Sequence, residues 1–103
     1  MSSRNGTKTE VVVITGASAG VGRATARAFA RRGARIGLLA RGKDGLEGAR
    51  SDVEADGGEA MAISTDVAHS NEVEAAAEAV ENRFGPIDIW VNNAMTTIFS
   101  PLK

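Results

Sequence analysis

The sequence predicts a doubly wound α/β fold, in which a parallel sheet of four strands in the order 3-2-1-4 carries three helices. Short apolar runs alternate with longer amphipathic stretches from Val11 to Asn92. Each stretch between two runs has room for one helix, and such connections are right-handed crossovers between parallel strands. In addition, a glycine-rich turn follows the first run directly, as expected where a buried strand feeds a helix.

Composition limits the class of protein. The 103 residues are 43% hydrophobic and carry a formal net charge of −1, which suits one small α/β domain. The sequence lacks the cluster of basic residues that would indicate a nucleic-acid partner. The absence of cysteine excludes disulfides and thiolate sites. The polar first ten residues do not resemble a signal peptide, and no apolar run approaches the roughly 20 residues that span a bilayer. We therefore expect a cytoplasmic location without a membrane partner.

The first strand is predicted at Val11–Thr15, after a disordered lead-in over residues 1–8. Its β-branched residues suggest burial on both faces. The first helix is predicted from about Val21 to Arg32, ending before Gly33. Its predicted inward face consists of Val21, Ala24, Thr25, Ala28 and Phe29.

The second strand is predicted at Arg35–Ala40, and a helix from about Lys43 to Asp56 leads to a third strand at Ala60–Ser64. Leu46, Ala49 and Val53 recur at helical spacing and are predicted to face the core.

The third helix has the clearest apolar stripe. Ser70 or Asn71 is predicted to cap its start, and Gly85-Pro86 to end it. The fourth strand is predicted at Ile87–Asn92, with Trp90 in the core. The stripe consists of Val73, Ala76, Ala77, Val80 and Phe84.

The turn from Thr15 to Gly22 is the segment with most chemical meaning. A tight turn between a strand and a helix points several backbone N–H groups outward together. The helix dipole adds roughly half a positive charge at the same place. An anion, most often a pyrophosphate, is the natural ligand of such a turn.

With these elements in place, the chain resembles the short-chain dehydrogenase/reductase family in three separate segments. The turn matches the family's Thr-Gly-x-x-x-Gly-x-Gly fingerprint, Asp66-Val67 matches its adenine-contacting pair, and Asn92-Asn93-Ala94 matches its Asn-Asn-Ala-Gly, with Met95 in place of the last glycine. All three follow predicted parallel strands, the edge at which such sheets bind ligands. The resemblance implies a Rossmann-like cofactor-binding domain whose contacts are Gly16, Ser18, Ala19, Gly20, Val21, Gly22, Arg41, Asp66, Val67, Asn92, Asn93 and Ala94.

The resemblance also implies that the catalytic residues lie elsewhere. The family's Ser and Tyr-x-x-x-Lys belong to a later strand and helix, and this chain contains no tyrosine. Residues 9–103 are therefore interpreted as the N-terminal, cofactor-binding part of such an enzyme, truncated before its catalytic segment. We expect these residues alone to be inactive, with no catalytic residue and no metal site. We expect the parent enzyme to act on a carbonyl or alcohol. The sequence leaves open whether it forms a homo-oligomer.

Arg41 indicates which nicotinamide cofactor is bound. NAD-binding members place an acidic residue at the end of the second strand, about 20 residues past the glycines, to accept the ribose 2′-OH. Here Ala40 holds that position and Arg41 follows it. A guanidinium forms paired, charge-assisted bonds with a phosphate, so the sequence favours NADP(H) over NAD(H).

Two alternatives remain at this point. The chain could be a non-catalytic dinucleotide-binding or interaction module. It could also belong to another nucleotide-binding class, such as methyltransferases that use S-adenosylmethionine. Those usually keep an acidic residue at the end of the second strand, and Ala40 does not supply one.

Overall fold

The structure, a computed structural model, describes residues 9–18 and 20–93. Strands and helices alternate along the chain, and each predicted element is present. They are β1 (Val11–Thr15), α1 (Gly20–Ala30), β2 (Arg35–Ala40), α2 (Lys43–Ala55), β3 (Glu59–Ser64), α3 (Ser70–Phe84) and β4 (Ile89–Asn92).

The strands form one parallel sheet in the order β3-β2-β1-β4, which confirms the predicted topology. In β1, Val13 lies opposite Gly37 of β2 on one side and Trp90 of β4 on the other. Every residue of β1 is buried, as its run of β-branched residues predicted. The carboxyl ends of all four strands therefore lie at one edge of the sheet.

Helices cover both faces of the sheet, so the doubly wound fold is also confirmed. On one face α1 and α2 pack on side chains that include Val12, Ile14 and Leu38. On the other face α3 packs on a smaller cluster that includes Val13 and Leu39. None of the helices in the described ranges has the length and apolar character needed to cross a membrane.

The predicted inward face of α1 is wrong. The buried residues are Gly22, Ala26 and Ala30, whereas Val21 is 72% exposed and the other predicted residues are exposed or partly buried. The prediction favoured the larger apolar side chains, but α1 lies close to the sheet through its smallest ones. The helix also ends at Ala30, two residues before the predicted Arg32, and Gly33 continues the turn with a φ of 80°.

The inward stripes of α2 and α3 are as predicted in their main residues. Leu46, Ala49 and Val53 are buried in α2. In α3 the buried residues are Ala76, Val80 and Phe84, with Val73 and Ala77 partly buried.

The N-cap of α3, the start of β4 and the burial of Trp90 differ from the prediction. His69 holds the N-cap position of α3 with no side-chain cap hydrogen bond, so neither Ser70 nor Asn71 caps the helix. Strand β4 begins at Ile89 and not at Ile87. Trp90 is 40% exposed and not a core residue, because in the described part of the chain β4 pairs only with β1.

Candidate functional site

Four segments follow the carboxyl ends of the strands and together form the candidate site. They are the turn between β1 and α1, the β2–α2 loop with Arg41, the β3–α3 loop with Asp66, and the end of β4 at Asn92-Asn93. The parallel sheet brings them to one edge, as the sequence predicted. Two predicted site residues, Ala19 and Ala94, lie outside the described residues.

The turn after β1 is held in place by the neighbouring strand. The N–H groups of Gly16 and Ala17 both donate to the carbonyl oxygen of Leu39 in β2, at 2.8 and 3.3 Å. Gly16 has a φ of 66° and Gly20 a φ of 61°, a left-handed backbone that glycine adopts readily. The turn therefore takes its position from β2 as well as from its own strand.

Gly22 brings the first turn of α1 directly onto this segment. A Cβ at Gly22 would lie 2.1 Å from the carbonyl oxygen of Gly16 and 2.9 Å from its carbonyl carbon. No side chain fits in that space, so the approach of helix to turn requires glycine. The first turn of α1 therefore packs directly on the backbone of this turn, and the N–H groups and the helix dipole at the N-terminus of α1 favour an anion beside it.

Thr15 ties the end of β1 to the end of β4. Its hydroxyl donates to Asn92 Oδ1 at 2.7 Å and accepts a hydrogen bond from the Asn93 N–H at 3.1 Å. Thr15 is 2% exposed, so these bonds are shielded from water. Asn93 Nδ2 is buried and has no hydrogen-bond partner among the described residues. A buried amide without a partner indicates a group that is completed by a ligand or by another part of the protein.

At the end of β2, hydrogen bonds hold the backbone of Ala40 and Arg41, whereas the Arg41 side chain is exposed. The Thr65 N–H donates to the carbonyl oxygen of Ala40 at 2.7 Å, and the Ser64 hydroxyl donates to that of Arg41 at 3.2 Å. The Arg41 side chain is exposed. Across residues 9–18 and 20–93, it forms no ion pair, unlike Arg23, Arg27, Arg31, Arg32, Arg35 and Arg50.

The start of α2 leads from Arg41 into an open groove of about 240 Å³. Gly42 is the N-cap residue, and no side chain bonds to the N–H groups there. Lys43, Leu46 and Glu47 line the groove from α2, with Ala62 and Ser64 from the edge strand β3. Lys43, two positions after Arg41, is thus a second basic residue at this end of the sheet and lines the groove.

Asp66 organises its own loop. Its carboxylate accepts a hydrogen bond from the Ala68 N–H at 3.0 Å and lies 3.5 Å from His69 Nε2. The Asp66 N–H donates to Glu72 Oε1 at 2.9 Å. The Asp66 carboxylate therefore bonds within the loop ahead of α3 and does not cap that helix, and Asp66 lies at the sheet edge beside Val67, which is 37% exposed.

Two close ion pairs join α1 to the end of α2 and its C-cap residue Asp56, which Arg31 also approaches at 4.0 Å. Arg23 Nε lies 2.7 Å from Asp52 Oδ2, and Arg27 Nε lies 2.8 Å from Asp56 Oδ2. The hydrogen bond from Arg23 lowers the pKa of Asp52 below its ordinary value, and that from Arg27 does the same for the pKa of Asp56. We call these two pairs the helix ladder.

Sequence reasoning missed the hydrogen bonds of Thr15 and the contact of Gly45. Thr15 was identified as the end of a strand and the first residue of the glycine fingerprint but not as a site residue, although a polar side chain closing a buried apolar run needs hydrogen-bond partners. Gly45 gives no signal in the sequence, because its role depends on how closely the turn approaches α2 in space. In the described ranges no group of three or more His, Asp or Glu side chains is placed to hold a metal ion.

Comparison with known proteins is consistent across sequence and structure. The family described as short chain dehydrogenase matches residues 10–103. A putative ketoacyl reductase from Streptomyces coelicolor is 40% identical over 85 residues, which is 82% of this chain and 33% of that protein.

Solved structures show the same similarity. L-Sorbose reductase from Gluconobacter frateurii, complexed with NADPH and L-sorbose, superposes with a TM-score of 0.81 and 41% identity, over 94% of this chain and 37% of that one. NAD⁺-bound xylitol dehydrogenase superposes with a TM-score of 0.76 and 34% identity, over 79% of this chain and 31% of that one. The chain thus spans about a third of the length of these proteins.

Proposed function

Because the chain belongs to the short-chain dehydrogenase family, whose members are oxidoreductases, we propose that it binds NADP(H) in preference to NAD(H). It would do so as the cofactor-binding part of an enzyme that transfers hydride between the nicotinamide and a carbonyl or alcohol carbon. One observation carries the proposal: the glycine-rich turn, on which α1 packs through Gly22, lies at the same sheet edge as Arg41, which forms no ion pair with the described residues.

The residues present fit a dinucleotide. Because Gly22 has no side chain, α1 begins directly against the turn, and a pyrophosphate could approach the backbone N–H groups at the start of α1. Ser18, Gly20 and Val21 lie along the same turn, and the exposed Val21 side chain is available to a ligand. The remaining parts of the cofactor are assigned to the neighbouring loops.

Asp66 and Val67 are proposed to hold the adenine, and Asn92 and Asn93 to line the cleft further along. Asn93 Nδ2 supports the second assignment, because it has no hydrogen-bond partner among the described residues and a bound polar group would satisfy it. Bound NADP(H) would supply the hydride. This chain's own residues bind and orient the cofactor, and no proton transfer is assigned to any of them.

The preference for NADP(H) is inferred from Ala40 and Arg41. The solved relatives include both an NADPH complex and an NAD⁺ complex, so the family alone does not decide between the cofactors. Ala40 offers no carboxylate to accept a ribose 2′-OH. Arg41 can form charge-assisted bonds with a 2′-phosphate, each worth roughly 1.5–3 kcal/mol, or about 10- to 100-fold in affinity.

Titration of NADPH and NADH against the purified protein tests this preference. The wild type should bind NADPH about 10- to 100-fold more tightly, and Arg41→Ala should lose most of that difference. Ala40→Asp should have a larger effect and reverse the preference for NADPH, because the new carboxylate accepts the free 2′-OH and repels the phosphate. Arg83→Ala, which removes the same charge near the end of α3, is the control and should bind like the wild type. Equal affinities in the wild type, or an Arg41→Ala variant that keeps its preference, would contradict the proposal.

A further inference from the structure

Ser18, in the middle of the anion-binding turn, comes unusually close to α2 at Gly45. A Cβ on Gly45 would lie 2.8 Å from Ser18 Cβ and 3.0 Å from its carbonyl oxygen. Gly45 is the third residue of α2, a position where alanine favours helix formation more than glycine does. Helix formation therefore does not explain a glycine here, whereas the close approach of the turn does.

Neither the turn at Ser18 nor the start of α2 at Gly45 can move away from this contact without changing the site. The turn is bonded to β2 through Leu39 and closed by α1 at Gly22. On the other side, the Leu46 N–H donates to the Gly42 carbonyl oxygen at 3.0 Å, and Leu46 itself is 2% exposed. The residue next to Gly42 is Arg41, so Arg41 is anchored close to the first turn of α2. A side chain at position 45 would separate Ser18 from the Arg41 loop, whichever of the two moved.

We propose that Gly45 is a specificity-determining positioning residue. Its bare backbone lets the Ser18 hydroxyl and the Arg41 guanidinium converge on one phosphate, the 2′-phosphate of NADP(H). The inference rests on the proposed function, and it adds a residue that touches neither the cofactor nor the substrate. NAD(H) has no phosphate at this position, so its affinity depends less on the spacing between turn and helix.

The test compares Gly45→Ala with Gly48→Ala, one turn further along α2. Both variants gain the same helix propensity, but a Cβ at Gly48 meets only the end of the Arg23 side chain, 2.9 Å from Nη2, which can move aside. NADPH and NADH are titrated separately against each purified variant. We expect Gly45→Ala to raise the Kd for NADPH about tenfold and that for NADH less than about threefold, and Gly48→Ala to change neither by more than about twofold.

A double-mutant cycle tests whether the effect passes through Ser18. Ser18→Gly removes both the hydroxyl and the Cβ that Gly45→Ala would strike. In that background Gly45→Ala should change the Kd for NADPH by less than about threefold, because the two substitutions act on one contact. If Gly45→Ala alone does not fold, the double variant is compared with Ser18→Gly, and equal NADPH affinities support the proposal.

The outcomes separate this inference from the proposed function. A wild type that does not distinguish NADPH from NADH overturns both. A wild type that prefers NADPH, with Gly45→Ala keeping the same ratio of affinities, overturns the role of Gly45 alone. A tenfold loss of NADPH affinity on adding Gly45→Ala to Ser18→Gly also overturns it, because the contact with the Ser18 side chain would then be irrelevant.

Discussion

At the scale of single residues, Gly22 shows how a missing side chain sets the geometry of the candidate site. The space where its Cβ would lie is occupied by the carbonyl group of Gly16, 2.1 Å away at the oxygen. The opposing atom belongs to the backbone, which is also fixed to β2, so the contact cannot be relieved by a rotamer change.

Gly22→Ala should therefore destabilise the fold, by about 3 kcal/mol, at the upper end of what overpacking usually costs. The urea midpoint of unfolding, followed by circular dichroism, measures this. Gly42→Ala is the control, because a Cβ there meets no atom within 4 Å and should shift the midpoint little. Equal midpoints for the two variants would show that the turn adapts more readily than its contacts indicate.

At the scale of elements, α1 and α2 are joined by the helix ladder as well as by apolar contacts. Asp52 and Asp56 both have pKa values lowered first by the hydrogen bonds from Arg23 and Arg27. A carboxyl group with a lowered pKa in the folded state stabilises that state once it is ionised. The stabilisation is present above the ordinary pKa near 3.8 and is lost as the pH falls through the lowered value.

The double variant Asp52→Asn, Asp56→Asn should accordingly unfold at a lower temperature than the wild type at pH 7. The difference should shrink as the pH falls below about 4, because the wild-type carboxylates then become protonated. Thermal midpoints at pH 7, 5 and 3 measure this. Glu74→Gln, which removes an exposed carboxylate from α3, is the control. A difference in midpoint that stays constant with pH would mean that the two asparagines act by altered packing.

The elements also show which features the sequence could predict. Parallel pairing and the buried faces of α2 and α3 follow from apolar spacing, because those faces use side chains large enough to stand out, and the strand order follows once the glycine-rich turn indicates the doubly wound fold. The face of α1 was predicted wrongly because Gly22, Ala26 and Ala30 carry little hydrophobic signal. Their contribution lies in how close they let two backbones approach, and that distance is a property of the folded structure.

The candidate site likewise contains residues that the sequence could locate and one that it could not. Gly16, Arg41, Asp66 and Asn92 could be located from the sequence, because each follows a predicted strand and such ends share one edge. Gly45 could not, since its contact with Ser18 joins segments that are distant in sequence. How these residues contact a cofactor stays a prediction.

At the scale of the whole molecule, one side of the sheet has little cover. In the described residues β4 pairs with β1 alone, and Trp90 is 40% exposed on the face that also carries Val13. The prediction of a buried Trp90 came from its position in the middle of the strand, whereas the open side of that strand makes it a candidate for exposure. An exposed aromatic side chain on a strand with an open side favours association.

The 103-residue chain should consequently associate as its concentration rises, and Trp90→Thr should reduce this association. Light scattering coupled to size-exclusion chromatography at several concentrations measures it. Val21→Thr is a matched control, because Val21 is the most exposed of the large apolar residues described but lies on α1, away from β4. A wild-type chain that stays monomeric at all concentrations, or a control that changes association as much as Trp90→Thr, would contradict this prediction.

The helix ladder has a further property, which follows from its spacing. Arg23, Arg27 and Arg31 recur every four residues along α1 and the turn after it, and Asp52 and Asp56 do so at the end of α2. If α2 slid by one turn, Arg27 would meet Asp52 and Arg31, now 4.0 Å from Asp56, would meet it more closely, so two close ion pairs would form again. The charges therefore bind the helices together without selecting one alignment. The selection comes from glycine, since Gly45 leaves room for the Cβ and the carbonyl group of Ser18 at one alignment.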